Sequence, residues 1–194
     1  MSTQDVVKLR EMTGAGMLDC KKALDEADGD LDKAVDILRK KGQAKAARKS
    51  AERETKEGIV HSYIHANGKV GVMLELLCET DFVAKNELFK ELAHDLAMQI
   101  AATEPLYLKP EDVPQEMVEK EQSMIKEEIA NESKPADVLD KIIEGKMAKY
   151  YADICLMNQP FIKDEDKTVG DLINEKIASI GEKIEIGRFS RFSI

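Results

Sequence analysis

Cysteine is scarce in this sequence, and the little there is does not cluster. Cys20, Cys78 and Cys155 stand far apart, with no Cys-x-x-Cys pair. An odd, scattered set excludes a disulfide framework and a zinc motif, and a reducing compartment suits it best. Long apolar runs are also missing: no stretch approaches the ~20 residues a helix needs to cross a bilayer. The start, Met1-Ser2-Thr3-Gln4-Asp5, has no basic segment leading into an apolar one, so no secretory signal is read. Positive charge is in deficit. The formal net charge is −9, a poor endowment for nucleic-acid binding, which relies on neutralising phosphates. The expectation is a cytoplasmic protein with no membrane association and no direct nucleic-acid partner. A Walker loop, a dinucleotide glycine fingerprint and a Gly-x-Ser-x-Gly elbow are all absent. What is present is 43% hydrophobic and 35% charged residues in a chain of 194. That is enough apolar material for a core and enough charge for much exposed helix. The length fits one medium domain, or a small module beside a larger one.

The order of patterns favours the second arrangement. Residues 5–42 read as three short helices. The first spans residues 5–12 and is broken by Thr13-Gly14-Ala15-Gly16. The second, residues 17–27, carries Cys20, Ala23, Leu24 and Ala27 at helical spacing. Asp30 is placed to cap the third, in which Leu31, Ala34, Val35 and Leu38 repeat that spacing, and Gly42 is expected to stop it. Residues 39–56 then turn basic: Arg39, Lys40, Lys41, Lys45, Arg48, Lys49, Arg53 and Lys56 face only Glu52 and Glu54. Without aromatics to stack on bases, this reads as an exposed helical linker.

From residue 58 the period becomes two. Ile59, His61, Tyr63 and His65 alternate with polar and apolar neighbours, and Asn67-Gly68 marks a hairpin turn. Val70, Val72, Leu74, Leu76 and Cys78 share one face of a second strand, apolar enough to be central in a sheet. Helices are predicted at residues 87–102, with Phe89, Leu92, Ala93, Leu96 and Ile100 inward, at residues 115–131, and after Pro135. The helix after Pro135 carries the stripe Ile143, Met147, Tyr150, Ile154 and Met157. Thr168 with Asp171 resembles a capping pair for a last helix ending at Gly181. Residues 183–192 read as a final strand, with a bulge near Gly187 because Phe189 breaks the parity of Ile184 and Ile186. Segregated strands and helices indicate an α+β fold: a three-helix module with its basic linker at residues 1–54, then an α+β core at residues 55–194 with a small antiparallel sheet.

Chemistry is harder to find. Asp28-Gly29-Asp30-Leu31-Asp32 invites a calcium reading, but an EF-hand loop starting there would need Gly and Glu where Lys33 and Arg39 stand. His61 and His65 share a strand face without an evident third metal ligand. Gly14-Ala15-Gly16 opens a helix, yet no Lys-Ser/Thr follows and no strand precedes it. No cofactor or metal is therefore expected. The segment of interest is Thr80-Asp81-Phe82-Val83-Ala84-Lys85-Asn86, which sets a carboxylate beside a large aromatic between strand and helix. Phe82 either packs inward while Asp81 caps the next turn, or protrudes as an anchor for a partner's pocket.

Two segments resemble the signatures of the elongation factor Ts family: Met12-Thr13-Gly14-Ala15-Gly16-Met17-Leu18-Asp19-Cys20-Lys21-Lys22-Ala23-Leu24, and Glu79-Thr80-Asp81-Phe82-Val83-Ala84-Lys85-Asn86. Their order and separation match as well, and the likeness extends to Arg188-Phe189-Ser190-Arg191-Phe192. The resemblance implies a ubiquitin-associated-like (UBA-like) module that docks on the GTPase elongation factor Tu, with Arg10, Thr13, Gly14, Gly16, Met17, Asp19 and Cys20 as candidate contacts. It implies that Thr80, Asp81, Phe82 and Val83 form the exchange element, the Asp-Phe pair pushing in near the magnesium site of Tu. It further implies a guanine nucleotide exchange factor without covalent chemistry. Longer members of the family carry a second core half, so a short chain like this one is expected to form a homodimer through the sheet and the 140–160 region. Two other readings compete. One is an adaptor using residues 1–42 alone, which would not need the Thr80–Asn86 segment. The other is an enzyme using Asp81, His61 or His94, which lacks a nucleophile–base–orienter set.

Overall fold

A computed structural model describes residues 3–129 and 135–194. Helices α1 (Thr3–Thr13), α2 (Met17–Glu26) and α3 (Leu31–Glu52) come first. Their joints are built from residues that tolerate left-handed backbone. Gly14 turns the chain at φ 66°, and Asp28 (φ 53°) with Gly29 (φ 86°) closes α2, the Gly29 amide donating to the Leu24 carbonyl at 2.9 Å. Asp30 Oδ1 then accepts from the Lys33 amide at 3.1 Å, the expected cap, and that bond holds its carboxyl below the usual range. Val6, Leu9, Cys20, Ala23, Leu24, Ala27 and Ala34 form the small core of this bundle.

Gly42 does not end the third helix; α3 runs through it to Glu52. A lone glycine costs a helix only ~1 kcal/mol, and alanine-rich sequence follows. The site is also one of close approach: a β-carbon there would sit 3.6 Å from that of Ala178. Lys45, Arg48 and Lys49 of the expected exposed linker have side chains outside the described residues.

The larger core holds β1 (Glu57–Ile64), β2 (Val70–Cys78), a one-turn helix α4 (Asp81–Ala84), α5 (Glu87–Thr103), α6 (Gln115–Ile129), α7 (Ala136–Ile154), β3 (Pro160–Phe161), β4 (Asp164–Thr168), α8 (Val169–Ile180) and β5 (Glu185–Ser193). The sheet order is β1-β2-β5, antiparallel throughout. The apolar strand β2 is central, as its composition predicts. Gly68 closes the hairpin at φ 68°, donating to the His65 carbonyl at 2.8 Å. The bulge in β5 is real: Leu74 pairs with Phe189 but Leu76 pairs with Ile186. The extra residue returns Phe189 to the core face, where it packs with Ile184 and Ile186.

That face is covered by α5, whose Phe89, Leu92, Ala93, Leu96 and Ile100 are buried, and by Val169, Leu172, Ile173 and Ile177 of α8. The Thr168–Asp171 capping box and the left-handed Gly181 (φ 93°) bound α8 as read. The short β3–β4 hairpin is not evident from the sequence. It is pinned by buried Gln99 in the apolar stripe of α5, which accepts from the Ile162 amide at 2.8 Å and donates to the Pro160 carbonyl at 3.1 Å. Helices α6 and α7 pack on each other with little burial: Ile125, Ile129 and Met147 are inside, while Ile143, Tyr150 and Ile154 stay half-exposed. The predicted end of α6 at residue 131 lies outside the described residues.

A candidate partner-docking loop

The segment between β2 and α5 is structured by a short chain of caps and one ion pair. Thr80, in extended conformation, caps α4, its Oγ1 accepting from the Val83 amide at 3.5 Å. Asp81 lies in the first turn, where a carboxylate suits the helix dipole. It pairs with Lys85 at 2.7 Å, and this contact holds its carboxyl below the ordinary value. Asn86 caps α5 by accepting from the Leu88 amide at 2.9 Å. Four helical residues have only one inward side, and Val83 and Ala84 occupy it against the core. Phe82 is thereby turned outward and is 82% exposed. The inward-packed reading of Phe82 is therefore corrected: the ring faces solvent. The capping role falls to Thr80 rather than Asp81.

The base of the loop is held from across the sheet. Glu182, between α8 and β5, accepts through Oε2 from the amides of Glu79 (3.2 Å) and Thr80 (3.1 Å), and through Oε1 from the Thr80 hydroxyl (2.7 Å). Arg53, just beyond α3, donates to both carboxylate oxygens of Glu79 at 3.0 and 3.1 Å, and the Lys183 amide reaches the same carboxylate at 2.5 Å. The Cys78 thiol donates to the Thr80 carbonyl at 3.2 Å, and burial pushes its pKa up to about 11. No pattern within residues 79–86 discloses Glu182, which is distant in sequence and unremarkable in composition. Lys85 is detectable in principle from its i, i+4 spacing to Asp81.

The N-terminal candidates divide. Arg10 and Met17 are exposed, as are Gly14 and Gly16. Thr13 is half-buried, donating to the Leu9 carbonyl at 2.7 Å and accepting from the Ala15 amide at 3.4 Å. Asp19 is half-buried. Cys20 is fully buried with its thiol aimed at the Ala15 carbonyl, 3.6 Å away, so it shapes the turn from inside. Met12 and Leu18, both exposed, are further apolar surface in this region that the sequence reading did not single out. Behind the Thr13–Gly16 turn, a cleft of ≈ 640 Å³ separates the module from β4 and α8. Arg39 spans it to Asp171 at 2.6 Å.

The histidines come together at the other end of the sheet. His61 Nε2 lies 3.3 Å from His94 Nδ1, and the Tyr63 hydroxyl 3.0 Å from His65 Nδ1. Burial, and secondarily His94, lowers the His61 pKa. Among the described residues, no group of three or more His, Cys, Asp or Glu is arranged to hold a metal, and no helix is long and apolar enough to cross a membrane.

A family model described as "Elongation factor TS" matches residues 21–194. The chain belongs to the elongation factor Ts family. It is 55% identical, over its whole length, to the elongation factor Ts of Carboxydothermus hydrogenoformans, covering 89% of that protein. The same identity and full coverage hold for that of Moorella thermoacetica, of which it covers 95%. The factor of Thermotoga petrophila is 56% identical over 97% of this chain and 94% of its own. The α+β fold, with three N-terminal helices that fit a UBA-like module, agrees with membership.

Proposed function

We propose that this chain is a guanine nucleotide exchange factor for elongation factor Tu, acting in the cytoplasm during translation elongation. Family membership supports the partner and the role. The observation that carries the mechanism is Phe82, almost wholly exposed on a capped, core-anchored turn. An exposed large aromatic on a rigid base suits insertion into a partner's pocket. The target is the surroundings of the Mg²⁺ ion that joins Tu to its GDP. Mg²⁺ requires near-ideal octahedral geometry at about 2.0–2.1 Å, so a wedge that shifts its neighbours slightly weakens the nucleotide's hold. No bond is made or broken. The chain need only bind the GDP-free form of Tu better than the loaded form, and linkage then makes GDP weaken its binding by the same factor. Each tenfold corresponds to ~1.4 kcal/mol of coupling.

Residues 1–54 serve in this reading as a separate docking unit. Arg10, Met17 and the Thr13–Gly16 turn lie at its contact surface, with Asp19 flanking that turn and Cys20 supporting it from within. Thr80, Asp81, Phe82 and Val83 form the exchange element. The outer face of the sheet supports homodimerisation. Val60, Ile64, Met73 and Phe192 are exposed there, with Gly71 paired to both Ile64 and Phe192, so a second copy would cover an apolar strip. Release of a fluorescent GDP from Tu, with and without this protein, tests the exchange reading; an unchanged release rate ends it. Sedimentation at micromolar concentration tests the dimer, and a monomer alone would refute that part.

A further inference from the structure

We propose that Glu182 is the positioning residue of the exchange loop, the group that keeps the turn bearing Phe82 in its displayed conformation. This inference rests on the wedge reading above. The loop leaves β2 at its C-terminal end, and Glu182 precedes β5, the antiparallel neighbour of β2, so the pairing of Leu77 with Glu185 brings the two segments side by side. The left-handed Gly181 ends α8 there and turns the chain toward the loop. One half-buried carboxylate then accepts three bonds from two consecutive residues, at 3.2, 3.1 and 2.7 Å. Bonds to a charged acceptor are the stronger kind. Two of them come from consecutive backbone amides at the point where the chain leaves β2.

Their placement matters more than their number. Thr80 is the cap on which α4 depends, and its hydroxyl is the shared atom: Oγ1 donates to Glu182 and accepts from the Val83 amide. Fixing that hydroxyl fixes the first turn of α4, and with it the direction of Phe82 two residues on. A wedge works only when held in register, because a loop that samples other conformers presents its anchor for a fraction of the time. Glu182 itself touches no partner in this scheme.

The test compares Glu182→Ala, Glu182→Gln, Thr80→Val and Phe82→Ala in the full chain. Two measurements are made: fluorescent-GDP release from Tu over a range of factor concentrations, and amide hydrogen exchange of the factor alone. Glu182→Ala is expected to lower the saturating release rate by about tenfold, with the half-saturating concentration little changed. The Glu79 and Thr80 amides should exchange faster while the β2 amides keep their protection. Glu182→Gln, which keeps an acceptor, should recover most of the rate. Thr80→Val should reproduce the rate loss even if Glu182→Ala does not fold. Combining Glu182→Ala with Phe82→Ala should be no slower than Phe82→Ala alone, since a misplaced wedge and a missing wedge are the same loss. Normal release by Glu182→Ala while Phe82→Ala is slow overturns the positioning role. Normal release by Phe82→Ala instead overturns the wedge reading beneath it.

Discussion

Truncating Phe82 to alanine should separate folding from the proposed exchange role. The side chain is 82% exposed, so its removal leaves no cavity, and stability should move by no more than about 0.5 kcal/mol. The interaction with Tu is different. Fully burying a phenylalanine is worth about 1.5–3 kcal/mol. Only the exposed four-fifths is available to a partner, which leaves roughly 1.2–2.5 kcal/mol. At ~1.36 kcal/mol per decade this is roughly an eightfold to seventyfold slower release of GDP. The loss should lie in the saturating release rate, since the proposed docking through the N-terminal helices is untouched. The assay is stopped-flow release of a fluorescent GDP from Tu at several factor concentrations, with thermal denaturation of the variant run in parallel. A variant that melts normally and still exchanges at the wild-type rate refutes the wedge. A variant that melts much earlier refutes the exposed placement of the ring.

Three further outcomes are expected. Deleting residues 1–42 should weaken Tu binding while residues 55–194 keep their circular dichroism, because the buried residues of the larger core all lie between Val72 and Ile186; loss of the core signal would contradict this. The His61 pKa is lowered in the fold, so below its ordinary 6.5 the unfolded chain takes up a proton that the folded chain resists. Stability should therefore fall as pH drops below 6.5, and His61→Asn should flatten that slope in urea titrations at pH 5.5 and 7.5. All three cysteines are buried, and burial pushes the Cys78 and Cys155 thiols up to about 11. A thiol reagent at pH 8 should thus react with them only as fast as the protein opens, and rapid modification of the native protein would contradict their placement.

Much of the fold was legible from one-dimensional patterns. The periods of 3.6 and 2, the aspartate cap at Asp30, the Thr168–Asp171 box and the parity break before Phe189 are local signals, and each appears in the structure where it was read. Gly42 misled because glycine is only a mild helix breaker, and neighbouring propensity together with contact to α8 outweighed it. The β3–β4 hairpin escaped because a run such as Asp164-Glu165-Asp166-Lys167 carries no apolar alternation. Its strands are fixed instead by Gln99, some sixty residues earlier. The stripe expected after Pro135 holds as far as Ile154, where α7 ends; Met157 falls in a following short turn against the main core, and α6 alone covers the rest thinly.

The same division holds at the candidate site. The sequence by itself determined the family, through two contiguous signatures, and it determined that Thr80-Asp81-Phe82-Val83 would sit between strand and helix. It left open whether Phe82 turned in or out. That depended on which of four consecutive residues the core accepted, and only the packing of Val83 and Ala84 against it sent the ring to solvent. Glu182 meets Glu79 and Thr80 because antiparallel pairing of β2 with β5 juxtaposes residues about a hundred positions apart, while Arg53 reaches Glu79 from just before β1. Local preference writes helices, strands and caps into the chain. Long-range contact decides which side chains are left over for a partner, because exposure is a property of everything else that has already been buried.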